Sequence, residues 1–293
     1  MSEKTRRTVG FVGIGNIGGP MARCLKRNGY DLTVCDQNEA ALKSFRDLGA
    51  RTATEPRELG RENVVVFMVS NDQQLKDAVM GPKGLFVGIG ERGPSLVIVM
   101  STVLPATIQE VATALRTKGV RVIDAPVSGG PIPAEKGELT IMTGGELADL
   151  ESAKPILETM GQRIIHCGSL GNGEMIKIVN NLVGVSVQFL VAEAFQLAYR
   201  SGVDLARLVS VMDTSSGRNF WSRDWDQTQQ QYDEYASDLP KLDVFLQRSV
   251  KDFKLALQLA GQEGVSMPIL ETVTDTVSRM QRQDVYDRFH SFT

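Results

Sequence analysis

Several common chemistries lack their raw material in this chain. Its 293 residues include two histidines, His166 and His290, so a histidine acid/base has little to work with. The three cysteines, Cys24, Cys35 and Cys167, form no Cys-x-x-Cys pair and have no histidine at ligand spacing. That excludes a disulfide framework and a metal cluster, and the thiols read as buried structural groups in a reducing compartment, the cytoplasm. A basic surplus is also missing: 32 Lys+Arg stand against 35 Asp+Glu, for a net charge of −3. Nucleic acid is thereby an unsuitable partner, since phosphate-backbone binding runs on clustered cations. No long apolar run is free of polar residues. The most apolar stretch, Leu182 to Ala198, contains Gln188, Glu193 and Gln196, so we expect a soluble core helix and no membrane span. The opening Met1-Ser2-Glu3-Lys4-Thr5-Arg6-Arg7 has no apolar segment of the kind a secretion signal needs.

What is present is ordinary globular material, with 42% hydrophobic and 23% charged residues and a mean hydropathy of −0.11. The length suits two domains. Short β-branched runs at Val9–Val12, Leu32–Val34, Val64–Val69 and Leu96–Val99 are apolar throughout, as strands of a parallel sheet covered on both faces are. Amphipathic stretches at Met21–Asn28, Glu39–Leu48 and Thr107–Thr117 separate them. Further strands are expected at Val120–Asp124, Leu139–Met142 and Arg163–His166, extending the same sheet. After Gly168 the pattern turns helical, beginning with one helix from Glu174 to about Arg200. So long an apolar helix needs burial on most sides, which places it at a seam between domains and between subunits.

Gly13-Ile14-Gly15-Asn16-Ile17-Gly18 is a GxGxxG directly after a strand and opening a helix. In that setting the first glycine permits the tight turn, the second lets backbone approach a pyrophosphate, and the third allows close helix–strand packing. The helix N-terminus then faces the phosphates. Asp36 ends the next strand, where a carboxylate accepts hydrogen bonds from an adenosine ribose and repels a 2′-phosphate; Gln37 follows where an NADP site would favour arginine. NAD is therefore expected rather than NADP. These features predict an α/β fold: an N-terminal Rossmann domain with a parallel-rich sheet over residues 1–166, then an all-α domain over residues 167–293.

Four segments together carry a resemblance. They are Phe11 to Ala22 around the glycine loop, Asp124-Ala125-Pro126-Val127-Ser128-Gly129-Gly130, Gly171 to Asn181 (GNGEMIKIVNN), and Lys251-Asp252-Phe253-Lys254-Leu255-Ala256. In order and spacing they resemble the signature blocks of the β-hydroxyacid dehydrogenase family, which includes 3-hydroxyisobutyrate dehydrogenase and tartronate semialdehyde reductase. Ile17 departs from the methionine that many members carry. The resemblance implies an NAD-dependent oxidoreductase that moves a hydride between a small β-hydroxy acid and its semialdehyde, with the site in the cleft between the domains. It implies a small carboxylate substrate and a homodimer or homotetramer.

Such a reaction needs a group that takes or gives the hydroxyl proton, and Lys177 is the candidate. Asn181 lies one helical turn on, where its amide can either orient Lys177 or hydrogen-bond the substrate oxygen. Gly184, a further turn away, leaves that face open. The Ser128-Gly129-Gly130 turn can present backbone N–H groups and a hydroxyl to an anion, and in the family it holds the substrate carboxylate. Lys251 resembles the family's lysine near the nicotinamide and substrate; the plainer alternative is a salt bridge with Asp252 or a nearby acid. Val69, Ser70 and Thr102 sit at strand carboxyl ends, where ligands of open α/β sheets bind. With Gly13, Gly15, Asn16, Ile17, Gly18 and Asp36 they complete the candidate cofactor set. Arg218, Trp221, Arg223 and Trp225 form a loop-like cluster suited either to a substrate's far end or to a helix-packing or subunit role. Two other readings stay open: an imine reductase of the same fold, which generally lacks the catalytic lysine, and a cofactor-binding scaffold without turnover.

Overall fold

The structure, a computed structural model, describes residues 7–290. It consists of two compact units, Met1–Lys177 and Ile178–Thr293.

In the first unit six strands, β1 (Thr8–Val12), β2 (Asp31–Cys35), β3 (Arg51–Ala53), β4 (Val64–Phe67), β5 (Leu96–Val99) and β6 (Arg121–Asp124), form an all-parallel sheet in the order β3-β2-β1-β4-β5-β6. Helices α1 (Gly18–Arg27), α2 (Glu39–Asp47), α3 (Asp72–Met80), α4 (Leu85–Gly88) and α5 (Pro105–Arg116) lie in the connections. Alternate residues of each strand enter two separate cores. Phe11, Val64, Val66, Leu96 and Ile98 belong to one, and Val12, Val65, Phe67, Val97 and Val99 to the other. Both faces are thus buried, and the strands are apolar throughout for that reason.

The strands expected at Leu139–Met142 and Arg163–His166 do form, but they do not extend this sheet. With β7 (Val127–Ser128), β8 (Leu139–Thr143) and β9 (Gly161–His166) make a separate three-stranded sheet. Only Val120–Asp124 joins the main sheet, as β6. A single antiparallel bridge, Asp124 to Gly144, links the two. The same register continues past Pro126, whose carbonyl accepts from the Met142 amide, into the Val127–Ile141 and Ser128–Thr140 pairs, so the chain passes directly from the main sheet to the second one. Helices α6 (Pro131–Lys136) and α7 (Leu147–Leu157) complete this region.

Helix α8 (Asn172–Arg200) is continuous across the division after Lys177. Its first turn is hydrogen-bonded to β6 and to the β5–α5 connection, so those residues cluster with the first unit. In the second unit follow α9 (Leu205–Thr214), α10 (Trp225–Ala236), α11 (Leu239–Gln262), α12 (Pro268–Arg279) and α13 (Arg282–His290). Asp204, Asp224 and Asp238 cap α9, α10 and α11, each accepting from the backbone amide three residues on. The core of this unit is aromatic: Tyr232 meets Phe289 edge-on with centroids 4.8 Å apart, and Phe195 meets Trp225 edge-on at 5.7 Å. Two ring donors hold α8 by its backbone, Trp221 Nε1 to the Gly184 carbonyl at 2.7 Å and the Tyr232 hydroxyl to the Gln188 carbonyl at 3.1 Å.

Candidate active site

The glycine loop leaves the carboxyl end of β1, where the strand order reverses between β1 and β4. Ligands of open α/β sheets bind at that switch point. Gly13 has φ +91°, and a Cβ there would lie 2.3 Å from the Met68 carbonyl oxygen. At Gly18 a Cβ would come within 2.0 Å of the Gly13 oxygen, so this glycine lets α1 pack directly on the loop. Gly15 is different: a Cβ there would meet nothing within 4 Å. Its smallness is not required by the protein itself, as expected of a position kept bare for a ligand. The first turn of α1 carries no side-chain cap and no acidic residue. Gly19 donates to the Gly15 carbonyl and Pro20 has no N–H, so the amides left to face an anion are those of the loop just before them, and the loop fits the pyrophosphate of a dinucleotide. Gly15, Asn16, Arg23, Asn38, Ile132 and Glu135 border an open cavity of about 570 Å³ beside it.

Asp36 follows β2 and is tied to the loop it serves. One carboxylate oxygen accepts from the Ile14 amide at 2.9 Å and the other from the Asn38 amide at 2.8 Å. Each oxygen keeps a further lone pair for a ribose hydroxyl. Past β4, the Val69 amide donates to Ser101 Oγ at 2.7 Å, and the Ser70 amide to Gln74 Oε1 at 3.0 Å. Fully buried Ser101, absent from the sequence-based set, thus joins the two strand ends that carry Val69, Ser70 and Thr102.

The Ser128-Gly129-Gly130 segment is a strand-to-helix turn. Gly129 and Gly130 have φ +147° and +86°, values open to glycine but not to residues with a Cβ. Gly130 is the N-cap residue of α6, and Gly129 is exposed. Immediately upstream lies the anchor of α8. Asp124 is fully buried, and its two oxygens accept from the Gly171 amide at 2.7 Å and the Glu174 amide at 2.9 Å. Burial raises its carboxyl pKa, and these backbone donors oppose the shift. The glycines around it are forced: a Cβ on Gly173 would lie 2.7 Å from Asp124 Oδ2, and one on Gly144 2.4 Å from Oδ1. Buried Glu174 adds a second tie, accepting from the Val103 amide at 3.2 Å. Lys177 stands one turn further along α8 and is only 6% exposed, so it is no solvated surface lysine.

In the helical unit, Asn181 of α8 donates from Nδ2 to Asp252 Oδ2 of α11 at 2.8 Å. Lys251 Nζ lies 3.3 Å from the other oxygen of the same carboxylate. The salt bridge foreseen for Lys251 therefore forms, and Asp252, 5% exposed, is shared between the two candidate residues. The Arg218/Trp221/Arg223/Trp225 cluster is engaged in packing: Trp221 is buried, Arg223 stacks over Phe220 and Arg218 pairs with Asp213. His166, at a strand end, donates from Nε2 to the Gly145 carbonyl at 2.9 Å.

Comparison with known proteins agrees with this construction. Residues 8–168 match the family model described as the NAD binding domain of 6-phosphogluconate dehydrogenase. Residues 171–292 match that described as the NAD-binding of NADP-dependent 3-hydroxyisobutyrate dehydrogenase. A probable mitochondrial 3-hydroxyisobutyrate dehydrogenase of Dictyostelium discoideum is 39% identical over 220 residues, 74% of this chain and 68% of that protein. The chain belongs to the β-hydroxyacid dehydrogenase family. It is accordingly an NAD-dependent oxidoreductase of hydroxy acids. A crystal structure of 3-hydroxyisobutyrate dehydrogenase from Salmonella typhimurium superposes with a TM-score of 0.77 at 27% identity, covering 93% of each chain. An imine reductase from Myxococcus stipitatus, at 18% identity and a TM-score of 0.61 over 96% of this chain and 94% of its own, shares the fold.

Proposed function

We propose that this family member oxidises a small β-hydroxy acid to its semialdehyde, or runs the reverse, with Lys177 as the proton carrier. The observation that carries the assignment is the placement of Lys177: an amine 6% exposed, on a helix whose first turn is fixed by Asp124 and Glu174. Bound NAD supplies the hydride acceptor. Lys177, as the free amine, takes the alcohol proton while the carbon gives up its hydride; in the reverse direction its ammonium returns that proton to the forming alcohol. Gly129 and Gly130, held at positive φ, present backbone N–H groups to the substrate carboxylate, and Ser128 adds a hydroxyl. Lys251 borders the nicotinamide and Asn181 orients the proton carrier.

The relatives' names make 3-hydroxyisobutyrate the first substrate to try. Asp36 supports NAD over NADP, because a carboxylate tied to the loop opposes a 2′-phosphate. The three unpaired cysteines support a reducing compartment, the cytoplasm on our reading. Ile176, Val183, Leu190 and Leu197 recur every seven residues on α8 and are all exposed, with Val179 beside them. An apolar seam of that period suits a second helix, and a second copy of this chain is its proposed partner. The test follows the near-ultraviolet absorbance of reduced nicotinamide for wild type and Lys177→Ala, across small β-hydroxy acids with NAD or NADP. Turnover with NAD that disappears in the variant is expected; tight NADH binding without turnover of any member would favour the scaffold reading.

A further inference from the structure

Asn181 could serve a hydroxy-acid oxidation in two ways, as a donor from its amide nitrogen to the substrate oxygen or as an acceptor through its amide oxygen. The structure bears on the choice through a residue that neither role requires. Asp252 lies on α11, 71 positions along the chain, and its Oδ2 is 2.8 Å from Asn181 Nδ2. A carboxylate has acceptors only, and Lys251 Nζ occupies the side of the other oxygen at 3.3 Å. The amide must therefore turn its nitrogen to Asp252. One Nδ2 hydrogen is spent there, and the amide plane is fixed. Asp252 is 5% exposed, so water is a poor substitute for either partner.

We propose that Asp252 is a positioning residue that locks the polarity of the Asn181 amide, so that Asn181 presents Oδ1 as an acceptor to the helix face it shares with Lys177. This rests on Lys177 being the proton carrier. The chemistry is consistent with it. The substrate hydroxyl has one hydrogen, which goes to Lys177, and toward any other group its oxygen only accepts; an amide oxygen cannot serve it. An amide oxygen does serve a lysine amine, as an acceptor that fixes the lone pair's direction. Residues four apart on a helix are neighbours, which places that acceptor one turn from Lys177. Lys251, on the opposite carboxylate oxygen, keeps Asp252 from rotating to offer a different edge.

The test is a charge swap. Asn181→Asp sets two carboxylates against each other, and Asp252→Asn removes the feature that selects one amide face. Each single variant is expected to lower kcat at least about tenfold. KM for the hydroxy acid changes less, since neither group is assigned to its carboxylate. In the double variant Asn181→Asp/Asp252→Asn the amide at 252 donates to the carboxylate at 181, whose second oxygen is again an acceptor facing the Lys177 side. Recovery of kcat to within about fivefold of wild type is the expected result, with NADH binding and thermal melting of the single variants close to wild type, which a residue that merely supports the fold would not leave unchanged. A double variant no better than Asn181→Asp would show that the reaction needs the amide nitrogen, and would overturn the proposal. Lys177→Ala is measured alongside: turnover retained there removes the proton-carrier assignment itself, whereas turnover lost there with no rescue in the swap removes only the polarity lock. If Asn181→Asp does not fold, as judged by NADH binding and thermal melting, the alanine cycle replaces it. Asn181→Ala and Asp252→Ala should then be strongly non-additive in kcat, and additive losses would overturn the proposal.

Discussion

Arg23 of α1 donates from both Nε and Nη2 to one oxygen of Glu135 on α6, at 3.0 and 2.6 Å. This pair joins the helix behind the glycine loop to the helix that follows the Ser128-Gly129-Gly130 turn. Arg27 pairs with the second oxygen of the same carboxylate.

The pair makes a pH-dependent contribution of defined sign. Arg23, then Arg27, holds the Glu135 carboxyl below its ordinary value of 4.5. A carboxyl lowered in the folded state stabilises it above that ordinary value, and the contribution disappears as pH falls through the folded pKa. Both side chains are more than a third exposed, which limits the contribution to at most about 1 kcal/mol. Thermal melting of Glu135→Gln should therefore fall slightly below wild type at neutral pH, and the two curves should converge in acid. A gap that widens on acidification would contradict the pairing.

The three glycines of the loop should separate by experiment. Gly13→Ala and Gly18→Ala force a Cβ to 2.3 and 2.0 Å from backbone oxygens, so both are expected to cost several times the roughly 1 kcal/mol of an average substitution. Gly15→Ala meets open space and should melt within about 0.5 kcal/mol of wild type, as surface changes do, while binding NADH at least about tenfold more weakly. Calorimetry and a fluorescence titration of NADH read the two effects. Unchanged NADH affinity in Gly15→Ala would place the pyrophosphate elsewhere.

Asp124 should matter to both turnover and stability. Asp124→Ala leaves the Gly171 and Glu174 amides without their acceptor in a buried setting, a loss of about 2 to 5 kcal/mol by the usual cost of breaking such a network. Asp124→Asn keeps one acceptor and turns an N–H toward the other amide, so it should be milder in melting. Its kcat should still fall, because the start of α8 carries Lys177. Full activity in Asp124→Asn would show that one acceptor suffices to hold the helix.

The seven-residue stripe on α8 predicts the assembly state. Leu190→Glu with Leu197→Glu replaces two residues that are 65% and 71% exposed within one chain. The substitutions should leave the protomer folded and shift sedimentation from a dimer or larger species to a monomer. A wild type that sediments as a monomer at every concentration would rule out the proposed partner.

Local constraints were legible in the sequence, and long-range ones were not. The GxGxxG could be read because each glycine answers to atoms within a strand, a turn and a helix of itself. The continuous apolar runs of β1, β4 and β5 identified a doubly covered sheet. By contrast β3 and β7, with 3 and 2 residues, are too short to show any period. The separate sheet of β7, β8 and β9 was missed because a strand's pattern shows which faces are buried and not which neighbour it pairs with. The sequence shows Asp124 as a strand end opening a substrate motif, and Asp252 as a member of a late signature block beside Lys251. Their roles depend on contacts 47, 50 and 71 residues away, for which one sequence gives no signal.

Both tryptophans, Trp221 and Trp225, lie in the helical unit, packed among Phe195, Tyr232 and Tyr235. Intrinsic tryptophan emission is therefore a local observer. It follows the melting of the helices and is blind to the parallel sheet, which contributes no indole. Any difference between an emission-detected transition and one detected by heat capacity measures how independently the nucleotide-binding half comes apart.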